Sequence, residues 1–103
     1  MKSPAFHAEA PTELEAEIRF YEMQRSGFGP RFHAAVMSAV SRAGQFPESG
    51  VAERDGVRKQ LIHKFPFLDY HELLNDRIVI WAVMQAARKP GYWRHRRTPA
   101  SPP

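Results

Sequence analysis

Residues 57–84 have the sequence VRKQLIHKFPFLDYHELLNDRIVIWAVM, from which the sheet is predicted. It is rich in β-branched and aromatic residues, which favour strands. The predicted strands span residues 57–65, 67–74 and 78–84. Pro66 separates the first two strands, and the turn-prone pair Asn75-Asp76 separates the last two. Because such short connections join antiparallel neighbours, we expect an antiparallel sheet whose last two strands form a hairpin.

The sequence before this stretch predicts two helices. Thr12 and Glu15 have the spacing of a capping box, and Gly27 is suited to end the first helix. Pro30 suits the first turn of a second helix, and apolar residues recur at helical spacing over 32–46. Two helices joined by a few residues pack as a hairpin. We therefore predict an α+β fold in which an N-terminal helical hairpin packs on a small antiparallel sheet.

The remaining segments are short. Residues 5–8 alternate weakly in polarity and predict an edge strand, whereas residues 48–56 predict a loop. We predict one domain over residues 1–97 and a disordered Pro-rich tail over 98–103.

Composition excludes several classes of function. The chain of 103 residues has no cysteine, so it has no disulfides, zinc fingers, thiol catalysis or iron–sulfur ligation. Its five histidines form no HExxH-type pattern, and we expect neither a metal nor a cofactor. No apolar run reaches the roughly 18 residues of a membrane span, and no signal peptide is recognisable. We expect a cytoplasmic protein with no membrane partner.

The positive charge is concentrated in the second half of the chain. Residues 51–103 hold ten basic and five acidic residues, whereas residues 1–50 hold five and six. From Arg88 onward there are five basic residues and no acid. Clustered positive charge predicts an anionic partner, either nucleic acid or an acidic protein segment.

The first helix has two apolar stripes on nearly opposite sides. One contains Leu14, Ile18 and Tyr21, and the other contains Phe20 and Met23. Two explanations are open for the second stripe. It packs on the neighbouring helix, or it binds a partner protein.

Two pairs of side chains on the predicted strands are candidates for catalysis or phosphate binding. If Pro66 centres a reversal, His63 lies opposite Asp69, which is either a general-base pair or an ordinary cross-strand pair. Arg58 and Lys64 point to the same side of the first strand, where they either bind phosphates or form a solvated face.

The segment that follows the last strand places Tyr92 and Trp93 between cations. These rings either stack on bases or anchor the chain end against the core. In the second case we expect Trp93 to be buried and the cations of residues 94–97 to be solvated.

The order of short motifs along the chain resembles the RelE/ParE superfamily, the toxins of type II toxin–antitoxin (plasmid stabilisation) modules, and its ParE-like branch in particular. The matching motifs are Phe6-His7-Ala8-Glu9-Ala10 leading into Glu13-Leu14, Phe20-Tyr21-Glu22, Gly27-Phe28-Gly29-Pro30-Arg31-Phe32, Phe46-Pro47-Glu48, Gly56-Val57-Arg58-Lys59, Phe65-Pro66-Phe67, Asp76-Arg77-Ile78-Val79-Ile80 and Arg88-Lys89-Pro90-Gly91-Tyr92-Trp93. They occur in the family's order over residues 5–96.

The resemblance implies a bacterial toxin that is neutralised by a cognate antitoxin, in a toxin–antitoxin hetero-oligomer. ParE-like toxins act by binding DNA gyrase, and RelE-like toxins cleave mRNA on the ribosome without a metal. For the second mode the matching positions are Arg58, Lys64, Arg88 and Tyr92. No convincing general base accompanies them, because Gln85 stands where related sequences often have a histidine.

We therefore expect a toxin that acts by binding a macromolecule such as DNA gyrase rather than by catalysis. The alternatives are a ribosome-dependent endoribonuclease and a degenerate, non-toxic member. The expected target contacts are Lys59, Lys89, Trp93 and Arg94, and the expected antitoxin contacts are Phe20 and Met23.

Overall fold

The computed structural model describes residues 3–88 and 91–97. Five strands form one sheet in the order β1-β5-β4-β3-β2. They are β1 Ala5–Phe6, β2 Val51–Ala52, β3 Val57–Leu61, β4 Phe67–Leu74 and β5 Arg77–Gln85. Strands β3, β4 and β5 are antiparallel neighbours, as predicted. The sheet as a whole is mixed, because the edge strand β1 runs parallel to β5.

The turns on either side of β4 have different forms. The β4–β5 hairpin turns at Asn75 and Asp76, whose φ angles of 48° and 71° suit a tight type I′ turn. Strand β3 is shorter than predicted, because the chain leaves the sheet at Ile62 and turns back over residues 62–66. Lys64, in this turn, has a φ of 69°, which is uncommon for a residue other than glycine.

The two predicted helices are present as α1 Ala10–Gln24 and α2 Phe28–Gln45. The predicted capping box of Thr12 and Glu15 is wrong, because α1 begins at Ala10 and Thr12 therefore lies inside the helix. The first turn contains Pro11, which lacks an N–H and therefore loses no hydrogen bond there. No helix among the described residues is long and apolar enough to cross a membrane.

A carboxylate from α1 caps the start of α2. Glu22 accepts hydrogen bonds from the backbone N–H groups of Gly27 and Gly29, each at 3.0 Å. A β-carbon at Gly29 would lie 2.9 Å from the carbonyl oxygen of Ile18. Glycine at this position therefore lets the two helices approach closely at their shared end.

Each face of the sheet has its own hydrophobic cluster. The helices cover one face, where Phe32, Val36 and Ile80 are fully buried. On the other face Val57, Trp81 and Ala82 pack with Trp93, which comes from the C-terminal segment. The helical hairpin and the C-terminal segment therefore enclose the sheet from opposite sides.

A buried polar network lies under α2. Asp69 and His71 are fully buried, and their Oδ1 and Nδ1 atoms lie 2.6 Å apart. Gln60 donates to the other carboxylate oxygen of Asp69 at 2.7 Å and to the Ala39 carbonyl at 2.8 Å. The predicted pairing of His63 with Asp69 is wrong, because the register places Gln60 opposite Asp69.

Candidate functional site

The C-terminal segment 91–97 covers the sheet face opposite the helices. Trp93 is 1% exposed, and its ring centroid lies 4.8 Å from that of Tyr70. Of the two alternatives for this ring, anchoring against the core is confirmed. Little of the Trp93 side chain is exposed for contact with a target, and that expected contact stays a prediction.

Arg96 fixes this segment to α1. Its guanidinium forms an ion pair with Glu13 and donates to the carbonyl oxygen of Trp81 at 2.9 Å. The Tyr92 hydroxyl donates to the same Glu13 carboxylate at 2.8 Å. The expected solvation of Arg96 is wrong, because only 1% of its side chain is exposed.

Arg97 fixes the same segment to the sheet. Its Nε and Nη2 donate to the two carboxylate oxygens of Glu72, at 2.8 and 2.9 Å. Glu72 also accepts a hydrogen bond from the Trp81 indole at 3.1 Å. Carboxylates of the same chain thus neutralise the positive charges of Arg96 and Arg97. We call the two ion pairs, Arg96 with Glu13 and Arg97 with Glu72, the arginine clasp.

The clasp predicts a stability that depends on pH. The Arg97 hydrogen bonds lower the pKa of Glu72, although burial opposes them. Burial raises the pKa of Glu13, but Arg96 and Tyr92 together lower it further, so the net shift is downward. A carboxyl with a lowered folded-state pKa stabilises the fold above its ordinary value and loses that contribution as the pH falls.

We expect the free energy of unfolding to fall as the pH drops below 4.5, the ordinary pKa of these two carboxyls, and to go on falling until both are protonated in the folded state. Urea unfolding at several pH values measures it. In Glu72→Gln the slope should be shallower over the same interval, because one of the two titrating groups is gone. Equal slopes for the two proteins would contradict the ion pair.

A groove of about 510 Å³ lies beside the clasp on the same face. Four cations line it: Arg54, Lys59, Arg88 and Arg94. We call it the cationic groove. Its apolar part is formed by Leu68, Tyr70 and Trp93. Burial raises the pKa of Tyr70, which keeps the phenol protonated and able to donate.

Not all of these cations are free. Lys59 pairs with Glu53 at 3.1 Å, and Arg94 lies 3.5 Å from an exposed carboxylate oxygen of Asp55. Arg88 is exposed and lies over the Tyr92 ring, 4.1 Å from its centroid, without an ion pair among the described residues. Arg54 is also exposed and has no ion pair among the described residues, so the groove offers a net positive surface with two guanidiniums that no carboxylate pairs with.

The structure brings some of the expected site residues together and separates others. Lys59, Arg88 and Arg94 line the cationic groove, and Tyr92 contacts Arg88. Lys89 lies outside the described residues. Arg54 also lines the groove. Arg54 was not predicted as a contact, because nothing but its charge distinguishes it in the predicted loop.

Arg58 and Lys64 lie elsewhere. Arg58 donates to the carbonyl of Gly50 at 3.1 Å, and Lys64 lines a different groove, between the helices and the β3–β4 turn. Arg58 and Lys64 do not form the row expected on one strand. Strand β3 ends at Leu61, and the positions between them, Gln60 and Ile62, are buried under α2.

The second apolar stripe of α1 is exposed. Phe20 is 52% exposed and Met23 is 84% exposed. The explanation that these two side chains pack on the neighbouring helix is therefore wrong. Leu14, Ile18 and Tyr21 face the core, as the first stripe predicted.

Comparison with known proteins bears on this fold. No protein-family model matches the chain, and no curated protein matches its sequence. Among solved structures, a chain of a chromosomal ParDE TA system from P. aeruginosa has the same fold, with a TM-score of 0.71 and 19% sequence identity. The match covers 82% of this chain and 96% of that chain. The predicted α+β architecture, a helical hairpin on a sheet, is thereby confirmed.

Proposed function

We propose that this chain is a ParE-like toxin of a type II toxin–antitoxin module and acts in the cytoplasm by binding a macromolecular target such as DNA gyrase. The observation that carries the proposal is the fold, which is shared with a ParDE chain over nearly all of that chain's length. Because proteins of one fold differ in function, the proposal also rests on the surfaces of this chain.

The cationic groove supports binding to an anionic macromolecule. Arg54, Lys59 and Arg88 converge there from a loop, a strand and the segment after β5, although Lys59 is paired with Glu53. Positive potential of this kind speeds association with a negatively charged surface and selects against basic ones. We assign target binding to this groove, with Lys59, Arg88 and Arg94 as the contacts.

The exposed stripe of α1 supports a separate contact with an antitoxin. Phe20 and Met23 project from the same helix, next to a shallow groove lined by Ala16, Glu17 and Gln85. Large apolar side chains that are this exposed are typical of protein interfaces when they cluster. We place the cognate antitoxin on this side of α1, in a hetero-oligomer.

Phe20→Glu is expected to weaken antitoxin binding by at least about tenfold, because a buried contact of an aromatic side chain contributes roughly 2 kcal/mol or more. Calorimetric titration with the cognate antitoxin measures it. The urea midpoint should be unchanged, since Phe20 is exposed in the isolated chain. A folded variant with unchanged affinity would remove Phe20 from the interface.

Induction of the protein in bacteria, alone and together with its cognate antitoxin, tests the proposed function. We expect growth arrest and altered plasmid supercoiling while mRNA remains intact, and rescue by the antitoxin. Growth at the uninduced rate, with the protein folded and abundant, would contradict a toxin. Arrest with intact supercoiling would contradict gyrase as the target.

A second candidate is a metal-independent, ribosome-dependent endoribonuclease. It is favoured by the contact of Arg88 with Tyr92, since a cation next to a phenol suits the charge that develops on a phosphate. It is disfavoured by the positions of Arg58 and Lys64, which line other surfaces. If the chain is such an endoribonuclease, we expect Arg88→Ala to abolish mRNA cleavage. Primer extension measures the cleavage. Cleavage that persists in the variant would exclude Arg88 from the active site.

A further inference from the structure

The cationic groove is lined by parts of the chain that are far apart in sequence. One wall belongs to the sheet and to the loop before β3, and it includes Arg54 and Lys59. The opposite wall belongs to the C-terminal segment 91–97, and it includes Trp93 and Arg94. The groove therefore has both walls only while this segment lies on the sheet.

The backbone of the C-terminal segment makes no hydrogen bond to the sheet among the described residues. Its backbone hydrogen bonds, from Arg94 to Gly91 and from Arg96 to Trp93, are each 2.9 Å long and stay within the segment. The indole N–H of Trp93 has no hydrogen-bond partner among the same residues, so this ring contributes packing alone. The polar contacts that hold the segment must come from its other side chains.

Arg94 has no strong contact of its own that fixes it in the groove wall. It lies 3.5 Å from Asp55, whose carboxylate is exposed, and an exposed ion pair of this kind contributes little. Its guanidinium carbon also lies 4.7 Å from the centroid of the Trp93 ring. The position of Arg94 therefore depends on how its neighbours in the segment are held.

The arginine clasp holds those neighbours. Arg96 and Arg97 follow Arg94 by two and three residues, and they pair with Glu13 and Glu72. Each pair contains one buried charge, on Arg96 and on Glu72, so breaking either pair is unfavourable while the segment stays in place. Movement of the segment into water relieves this cost, because water hydrates the charges that have lost their partners.

We propose that Glu13 and Glu72 are positioning residues for the cationic groove, because they keep Trp93 and Arg94 on the sheet as the wall against which an anionic target binds. The inference rests on the proposed function, since it concerns the surface to which target binding is assigned. It gives two acidic residues a part in binding an anion. Charge alone predicts the opposite, because loss of a carboxylate near the groove would strengthen the attraction.

Glu72→Gln and Arg97→Gln test the inference as a pair. Both break the same contact, yet they change the net charge from +4 in opposite directions, to +5 and to +3. Titration of the ¹⁵N-labelled full chain with inorganic tripolyphosphate, a small polyanion, measures binding at the amides of Arg54 and Lys59. We expect both variants to bind at least about tenfold more weakly than the wild type, as follows when the segment is in place in a tenth of the molecules.

A direct readout of the segment accompanies the titration. The ¹⁵N heteronuclear NOEs of residues 92–97 should fall in both variants and in Glu13→Gln. The amide shifts of Val36 should stay, because the buried members of the hydrophobic cluster under the helices lie between Leu14 and Val83. Glu48→Gln is the matched control, since Glu48 is exposed beyond the end of α2 and its loss also gives a net charge of +5. The control should bind within about twofold of the wild type.

Tighter binding by Glu72→Gln together with weaker binding by Arg97→Gln would show that charge decides, and it would overturn the inference. A segment that stays ordered in both variants would overturn it too, as would binding unchanged in both, an equal loss in Glu48→Gln, or no wild-type shifts at millimolar tripolyphosphate. Failure of the proposed function has a different result: the segment is released and tripolyphosphate binds more weakly, but the wild-type protein does not arrest growth.

Discussion

Arg96→Ala is expected to lower the free energy of unfolding by about 3 kcal/mol, the scale for removing one partner of a buried ion pair. The side chain of Arg96 is 1% exposed, whereas that of Glu13 is 31% exposed. Alanine at this position leaves the Glu13 carboxylate with only the Tyr92 hydroxyl, and it leaves the Trp81 carbonyl without the guanidinium donor. Both groups are then partly buried polar atoms that have lost a partner, which is why the effect is large.

Urea unfolding followed by tryptophan fluorescence measures this change, because Trp81 and Trp93 both lie in the affected cluster. Arg77→Ala removes an exposed arginine and is expected to change the free energy by no more than about 0.5 kcal/mol. The double variant Glu13→Gln/Arg96→Ala should lose less free energy of unfolding than the two single variants lose together, because it has no unpaired charge. A loss below about 1 kcal/mol for Arg96→Ala would show that the clasp does not hold the segment.

The fold was predictable because its signals are local. Pro66 and Asn75-Asp76 mark the ends of β4, and the apolar spacing of α2 indicates one buried face. The parallel pairing of β1 with β5 was not predictable, because Ala5 and Val79 are far apart in sequence and only two residues pair. The end of β3 at Leu61 was missed since a lysine at 64 gives no sign of a positive φ.

The site was less predictable than the fold, because its charges are paired over long distances in the sequence. Glu13 and Arg96 are 83 residues apart, and Glu72 and Arg97 are 25 apart. From the sequence, the run at residues 94–97 has the composition of a solvated basic tail. In the structure, two of its arginines hold the segment in place, and the unpaired charge of the cationic groove comes from Arg88 and from Arg54.

Arg88→Glu is expected to abolish growth arrest on induction, with survival returning to that of uninduced cells. Arg88 is exposed at the edge of the cationic groove and has no ion pair among the described residues. Its replacement by a carboxylate both removes an attractive charge and places a repulsive one against an anionic target. A like charge facing the target costs roughly 2 kcal/mol or more, which corresponds to at least a thirtyfold loss of affinity.

Arg77→Glu is the matched control, because it changes the net charge by the same amount, from +4 to +2. Arg77 begins the nine-residue strand β5 and Arg88 follows its end, so the two positions lie at opposite ends of the strand. The control should still arrest growth, which would show that position and not total charge matters. Arg88→Glu loses the contact with the Tyr92 ring and the electrostatic attraction to Glu13 and Glu17, so its urea midpoint should fall modestly below that of the wild type while the protein stays folded. Arrest that survives in a folded Arg88→Glu protein at normal abundance would mean that the target binds another face.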